Sequence, residues 1–121
     1  MPVDSNASPA AAPAAAERRQ APRKPLRTAA TLIIGGYRLP GRTVDISQQG
    51  LCVTADRNLP SGTDCDVEFT LMENGRSHRM LLKAKVVHGV LSRQDGFKIG
   101  LMLTQVNSTA QQAIDQFMKG A

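Results

Sequence analysis

Cys65-Asp66-Val67-Glu68-Phe69-Thr70-Leu71, followed closely by Glu73-Asn74-Gly75-Arg76, decides the fold of this chain. Apolar and polar residues alternate through 65–71 with period two. That spacing puts one set of side chains on a buried face and the other in solvent, as a half-buried β-strand requires. Asn-Gly is the dipeptide best suited to a two-residue hairpin, because both central residues of that turn take positive φ. The stretch therefore predicts a strand, a tight turn and a long return strand, Met80 to Leu91.

The same reading extends outward in both directions. Thr31-Leu32-Ile33-Ile34 is a β-branched apolar run that stops at Gly35-Gly36, a second hairpin turn. Tyr37 to Ile46 reads as its return strand, with a bulge or bend expected at Pro40-Gly41. Leu51 to Ala55 is a short strand. Leu59-Pro60-Ser61-Gly62 is a turn, and Gly96 to Leu103 forms a further strand after the Arg93–Gly96 turn. Beyond it the period changes. Ala110, Ala113, Ile114, Phe117 and Met118 recur at helical spacing, with Ser108 and Gln111 placed as a capping box. About six antiparallel strands and one C-terminal helix result. Short strands with close turns favour a closed β-barrel, since closure removes exposed edges, and the helix is expected to cover one mouth or flank.

A chain of 121 residues has room for one domain. Residues 1–16 are mostly Ala, Pro and Ser with Asp4 as the single charge, a composition expected to be disordered. They lack the basic start and large apolar run of a secretory signal, and no segment has the length and hydropathy of a membrane span. The expectation is a soluble, cytoplasmic protein whose ordered domain occupies 17–121. Cys52 and Cys65 have no CxxC spacing; buried free thiols are expected, with a disulfide left open.

The net charge of +5 is unevenly placed. Arg18, Arg19, Arg23, Lys24, Arg27, Arg38 and Arg42 fall within residues 17–42 against Glu17 alone, so the rest of the chain is close to neutral. An anionic partner should meet this N-terminal arm. Pro22 and Pro25 oppose a helix there. In an extended arm Arg19 and Arg23 stand about 13 Å apart at the backbone, close enough for their side chains to grip one ligand. Guanidinium suits such a ligand: it bonds phosphate bidentately, bonds the O6 and N7 edge of guanine, and stacks on bases. The same residues also fit a solvated basic tail.

Asp45-Ile46-Ser47-Gln48-Gln49-Gly50 joins two strands. It fits an ordinary Asx- or Ser-type turn in which Gly50 takes positive φ. It also fits a recognition turn: a carboxylate accepting from guanine N1–H and N2, a hydroxyl completing the ligand shell, and a glycine letting the backbone turn close by.

Taken in order, the arm, this turn, the strand pattern and the final helix resemble the PilZ family, whose signature is RxxxR followed by [DN]xSxxG. The resemblance covers about residues 17–118. It implies a six-stranded antiparallel barrel that binds cyclic di-GMP, with Arg19 and Arg23 matching RxxxR and Asp45, Ser47 and Gly50 matching [DN]xSxxG. Arg23 and Arg27 fit RxxxR as well. The earlier register leaves Leu26 to Ile34 to lead into the first strand. The Glu17-Arg18-Arg19 run is also family-like, and an additional arginine such as Arg18 is associated there with an intercalated ligand dimer. Gly100 resembles a recurrent glycine of the last strand, read here as a barrel bend.

Other chemistries find little support. His78 and His88 lack a third ligand at zinc-like spacing, and no Walker, GxSxG or HExxH pattern occurs. Ser47 has no base near it in sequence. No enzyme activity, metal or cofactor is expected. Arg38, Arg42 and Arg57 either extend a basic surface or are ordinary exposed residues. A single-stranded nucleic-acid barrel would need stacking aromatics, whereas Phe69, Phe97 and Phe117 fall on core faces and leave only Tyr37. A PilZ-like interaction module without nucleotide is the other alternative. The favoured reading is a bacterial receptor or adaptor whose arm orders on cyclic di-GMP and alters a surface read by a downstream protein.

Overall fold

The computed structural model describes residues 22–94 and 96–120; the 1–16 segment, Arg18 and Arg19 lie outside the described residues. Its elements are β1 (Lys24–Pro25), β2 (Ala29–Ile34), β3 (Tyr37–Ile46), β4 (Gly50–Ala55), β5 (Asp64–Glu73), β6 (Arg76–Ser92), β7 (Gly96–Gln105) and α1 (Ser108–Lys119). Pairing runs β3-β2-β5-β6-β7-β4, and β4 pairs back onto β3, so six antiparallel strands close into a barrel. β1 is a two-residue addition laid against the end of β3.

The alternation in β5 is realised as expected. Cys65, Val67, Phe69 and Leu71 are buried, while Asp66, Glu68 and Thr70 are half-buried on the outside. They meet β6 through Cys65↔Ala84, Val67↔Leu82 and Phe69↔Met80. Burying each large apolar side chain in this way contributes roughly 1.5–3 kcal/mol. The Asn74-Gly75 turn takes φ of 51° and 76°, the left-handed pair that a tight hairpin demands.

Two sequence-based placements differ. The ladder slip in β3 lies between Thr43 and Asp45, where Val44 is the extra residue, and not at Pro40-Gly41. Gly41 answers a different need: a Cβ there would collide with the Thr54 carbonyl oxygen across the ladder. The helix cap is Asn107, whose side chain accepts from Ala110 N–H at 2.8 Å, one residue before the expected Ser108. Gln111 bonds Asp115 at 3.0 Å in place of closing a capping box. Asn caps a helix as well as Ser, so sequence alone does not separate neighbours of this kind.

Ala110, Ala113 and Ile114 of α1 are buried, and Phe117 and Met118 pack on the same core. The β3–β4 turn, the β5–β6 hairpin and the β7–α1 connection all open at one end of the barrel, since every strand is antiparallel to its neighbours. α1 packs across that end and is tied to it by Gln48 Nε2–H to Asp115 Oδ1 at 3.3 Å. Cys65 is a buried free thiol; Cys52 is also free but only half-buried, because its strand position faces outward.

Candidate binding site at the β3–β4 turn

The bulge at Val44 sets the direction of Asp45. Thr43 pairs with Val53 and points inward, 2% exposed. The next partners are Asp45 and Cys52, so β3 advances two residues while β4 advances one. An extra residue in one strand re-aims the side chains beyond it, and here it turns Asp45 to the outer face. Thr43 itself is held by accepting from Thr28 N–H at 2.9 Å and donating to the Leu26 carbonyl.

On that outer face Arg23 Nη1 donates to Asp45 Oδ1 at 2.9 Å. The two side chains are 43% and 28% exposed, so the pair is partly screened and contributes about 0–1 kcal/mol to stability. Its value is positional. A carboxylate has about four acceptor sites and a guanidinium five donors, so one bond leaves both groups mostly free for a ligand.

Ser47 is buried, and its Oγ accepts from Gly50 N–H at 3.0 Å and Gln49 N–H at 3.4 Å. Ser47 N–H in turn donates to Gly50 O at 2.9 Å. The hydroxyl thus locks the turn. Gly50 does not take positive φ. A Cβ on it would stand 3.0 Å from Leu101 O, so close approach of β7 is what calls for glycine there. Gln49 O accepts from Leu103 N–H at 2.9 Å and fastens the turn to β7 as well.

Cross-strand register extends the site to Cys52 and His88, which the sequence did not assign to it. Pro25, Asp45, Cys52, Gly100 and His88 are successive partners along one outward row. The His88 ring lies over the bare Cα of Gly100, where a Cβ would come within 2.8 Å of it. The β6 ladder also slips between Val86 and His88, with Val87 as the extra residue opposite Leu101 and Gly100. Burial pushes the Cys52 thiol pKa up; the Asp45 carboxylate adds to this, and Lys98 and Arg23 oppose it. Those charges place Cys52 within the field of the site.

Arg23 belongs to both RxxxR registers. Arg27 is exposed and makes no hydrogen bond or ion pair with the described residues. Of the other basic candidates, Arg38 pairs with Glu68 at 2.9 Å and Arg57 lies over the Tyr37 ring at 5.4 Å. Arg79 joins Arg38 on Glu68, and their hydrogen bonds hold that carboxyl below its usual range. Arg42 is exposed. Among the described residues no three His, Cys, Asp or Glu side chains form a metal-sized group, and no helix is long and apolar enough to cross a membrane.

The adjacent residue, Lys24, was not anticipated. Its Nζ donates to Phe117 O at 2.7 Å and Gly120 O at 2.9 Å, and sits 4.4 Å from the centroid of the Phe117 ring. A cation on the last carbonyls of a helix contributes roughly 0.3–1 kcal/mol. Sequence carries no signal for a contact spanning 93 residues.

A family model described as PilZ domain matches residues 17–120. No curated protein matches the chain by sequence. Among solved structures it is similar to the Bacillus subtilis inhibitor of motility (MotI/DgrA), with TM-score 0.72 and 21% identity over 84% of this chain. The chain spans 49% of that protein, about half its length. The PilZ domain of CeSA from a cellulose-synthesizing bacterium gives 0.53 and 17% identity, covering 80% of this chain and 94% of that one. The PilZ domain of Escherichia coli YcgR, solved with c-di-GMP, gives 0.58 and 15% identity, covering 84% and 88%.

Proposed function

The chain belongs to the PilZ domain family, and from that premise we propose that it is a cyclic di-GMP receptor or adaptor acting in the cytoplasm. The observation that carries this reading is the Arg23–Asp45 pair on the outer face beside the Ser47–Gly50 turn. It joins one arginine of RxxxR to the acidic residue of [DN]xSxxG. The likeness to a YcgR domain solved with c-di-GMP supports the choice of ligand.

In this reading Asp45 accepts from guanine N1–H and N2, while Arg23 turns donors to a phosphate or to the guanine O6/N7 edge. Arg19 takes the companion role and Arg18 serves a second, intercalated ligand molecule. The work of Ser47 and Gly50 is to hold the turn so that Asp45 keeps its aim. The arm orders on the ligand, and this order is the output read by a downstream protein. The reading needs no catalytic residue, metal or cofactor.

Calorimetric titration of the whole chain with cyclic di-GMP tests it directly. Saturable binding that Arg23→Ala weakens about tenfold or more is the expected result. Absence of binding at high micromolar nucleotide would overturn the receptor reading.

A further inference from the structure

Arg23 and Lys24 are neighbours on an extended segment, and they hold opposite sides of it. Pro25 is the partner of Asp45, so the outward side of the arm carries Arg23 to the Asp45 carboxylate. Lys24 is the partner of Ile46, which is fully buried, and it points toward the closed end of the barrel. There it reaches the carbonyls of Phe117 and Gly120 and the face of the Phe117 ring. Side-chain alternation along extended backbone makes this arrangement unavoidable once either residue is seated.

The chain is next held at Leu26, which is buried and donates its N–H to Val44 O at 3.0 Å. β1 is two residues long, and Pro25 has no N–H to give. Both carbonyls taken by Lys24 lie at the helix end, and Phe117 O also accepts from Gly120 N–H at 3.2 Å. The ammonium adds a second donor to a final turn that Gly120 N–H already caps, and does so from outside the helix. Beside it lies a cavity of about 480 Å³ bordered by Met72, Glu73, Gln116, Phe117 and Lys119.

We propose that Lys24 is a positioning residue that clips the arginine arm to the last turn of α1, so that rearrangement at the Arg23–Asp45 pair is transmitted to the helix end. When Arg23 is drawn away from Asp45, its neighbour cannot keep both carbonyls and the ring without moving with it. Release of Lys24 uncovers one face of Phe117 and loosens the last turn beside the cavity. The end of α1 thereby becomes the surface that changes. The trigger by nucleotide rests on the function proposed above; the clip itself does not.

Hydrogen exchange on the full chain tests this. Lys24→Met keeps the stem but removes the donors. It should speed exchange at residues 117–120 up to about fivefold while β5 and β6 stay unchanged, and Lys24→Arg should restore most of the protection. Arg23→Ala should speed the same amides in the Lys24 protein and have no further effect in Lys24→Met. Cyclic di-GMP should alter helix-end exchange in the unmutated chain, and not in Lys24→Met even where calorimetry records binding. A helix end indifferent to Arg23→Ala, or one that responds equally with and without Lys24, overturns the proposal. If calorimetry shows no nucleotide binding, the receptor reading falls, and the Arg23→Ala and Lys24→Met comparison still decides the clip.

Discussion

Arg23 and Asp45 are 22 residues apart in sequence and joined by a 2.9 Å ion pair on the outside of the barrel. The pair places the carboxylate and one guanidinium in a single site. Arg23→Ala should therefore cost little stability, about 0–1 kcal/mol, while lowering cyclic di-GMP affinity about tenfold or more. Arg19→Ala should behave similarly and Arg27→Ala should matter less. Thermal melts alongside calorimetry separate the two effects. An essential Arg27 with a dispensable Arg19 would move the motif four residues along.

Asp45→Ala should weaken guanine cyclic dinucleotides far more than simple anions, because the carboxylate matches donors that adenine does not present in the same place. Competition between cyclic di-GMP and cyclic di-AMP reads this. Equal affinity of the unmutated chain for both would remove base readout from Asp45.

Two cyclic di-GMP molecules per chain are expected, with Arg18→Ala lowering the number toward one, since adjacent extended residues reach opposite sides. Titration stoichiometry gives the answer. Exchange of amides 17–27 should slow on binding. A one-to-one complex would dispose of the second ligand and leave the receptor intact.

Glycine substitutions should rank by crowding. Gly50→Ala brings a Cβ to 3.0 Å from Leu101 O and should cost about 1 kcal/mol; Gly41→Ala meets the Thr54 carbonyl more severely and should cost about 2–3 kcal/mol. Urea denaturation measures both. The reverse order would mean that β3 and β4 can separate near Gly41 without loss.

The cysteines report on alkaline pH. Burial, aided by Asp66 and Asp64, pushes the Cys65 thiol from 9.0 up to about 11. A raised thiol pKa favours the folded state below the ordinary value and loses that contribution as pH climbs toward the folded one. Stability should fall between about pH 9 and 11, and Cys65→Ala should flatten that fall. At pH 8 Cys52 should alkylate faster than buried Cys65 yet slower than in the unfolded chain, and cyclic di-GMP should protect it. Lack of protection would place the ligand off the Asp45–Cys52–Gly100 row.

Much of the barrel was legible in the residues alone. Alternation in 65–71, Asn74-Gly75, Gly35-Gly36 and the helical period of 110–118 are local signals, each imposed by backbone geometry within a few residues. Arg23, Asp45, Ser47 and Gly50 were legible as a set of groups in order. Their individual duties were not. Whether Gly50 serves φ or close approach depends on where β7 passes, and whether Ser47 faces a ligand or its own turn depends on the β3–β4 turn closing. The outward aim of Asp45 comes from one extra residue at Val44, a register choice made by the whole ladder. Lys24 on the end of α1, Cys52 beside Asp45, and His88 over Gly100 are juxtapositions of distant segments. Only closure of the barrel brings them together, because no local pattern encodes which strands become neighbours or at what offset.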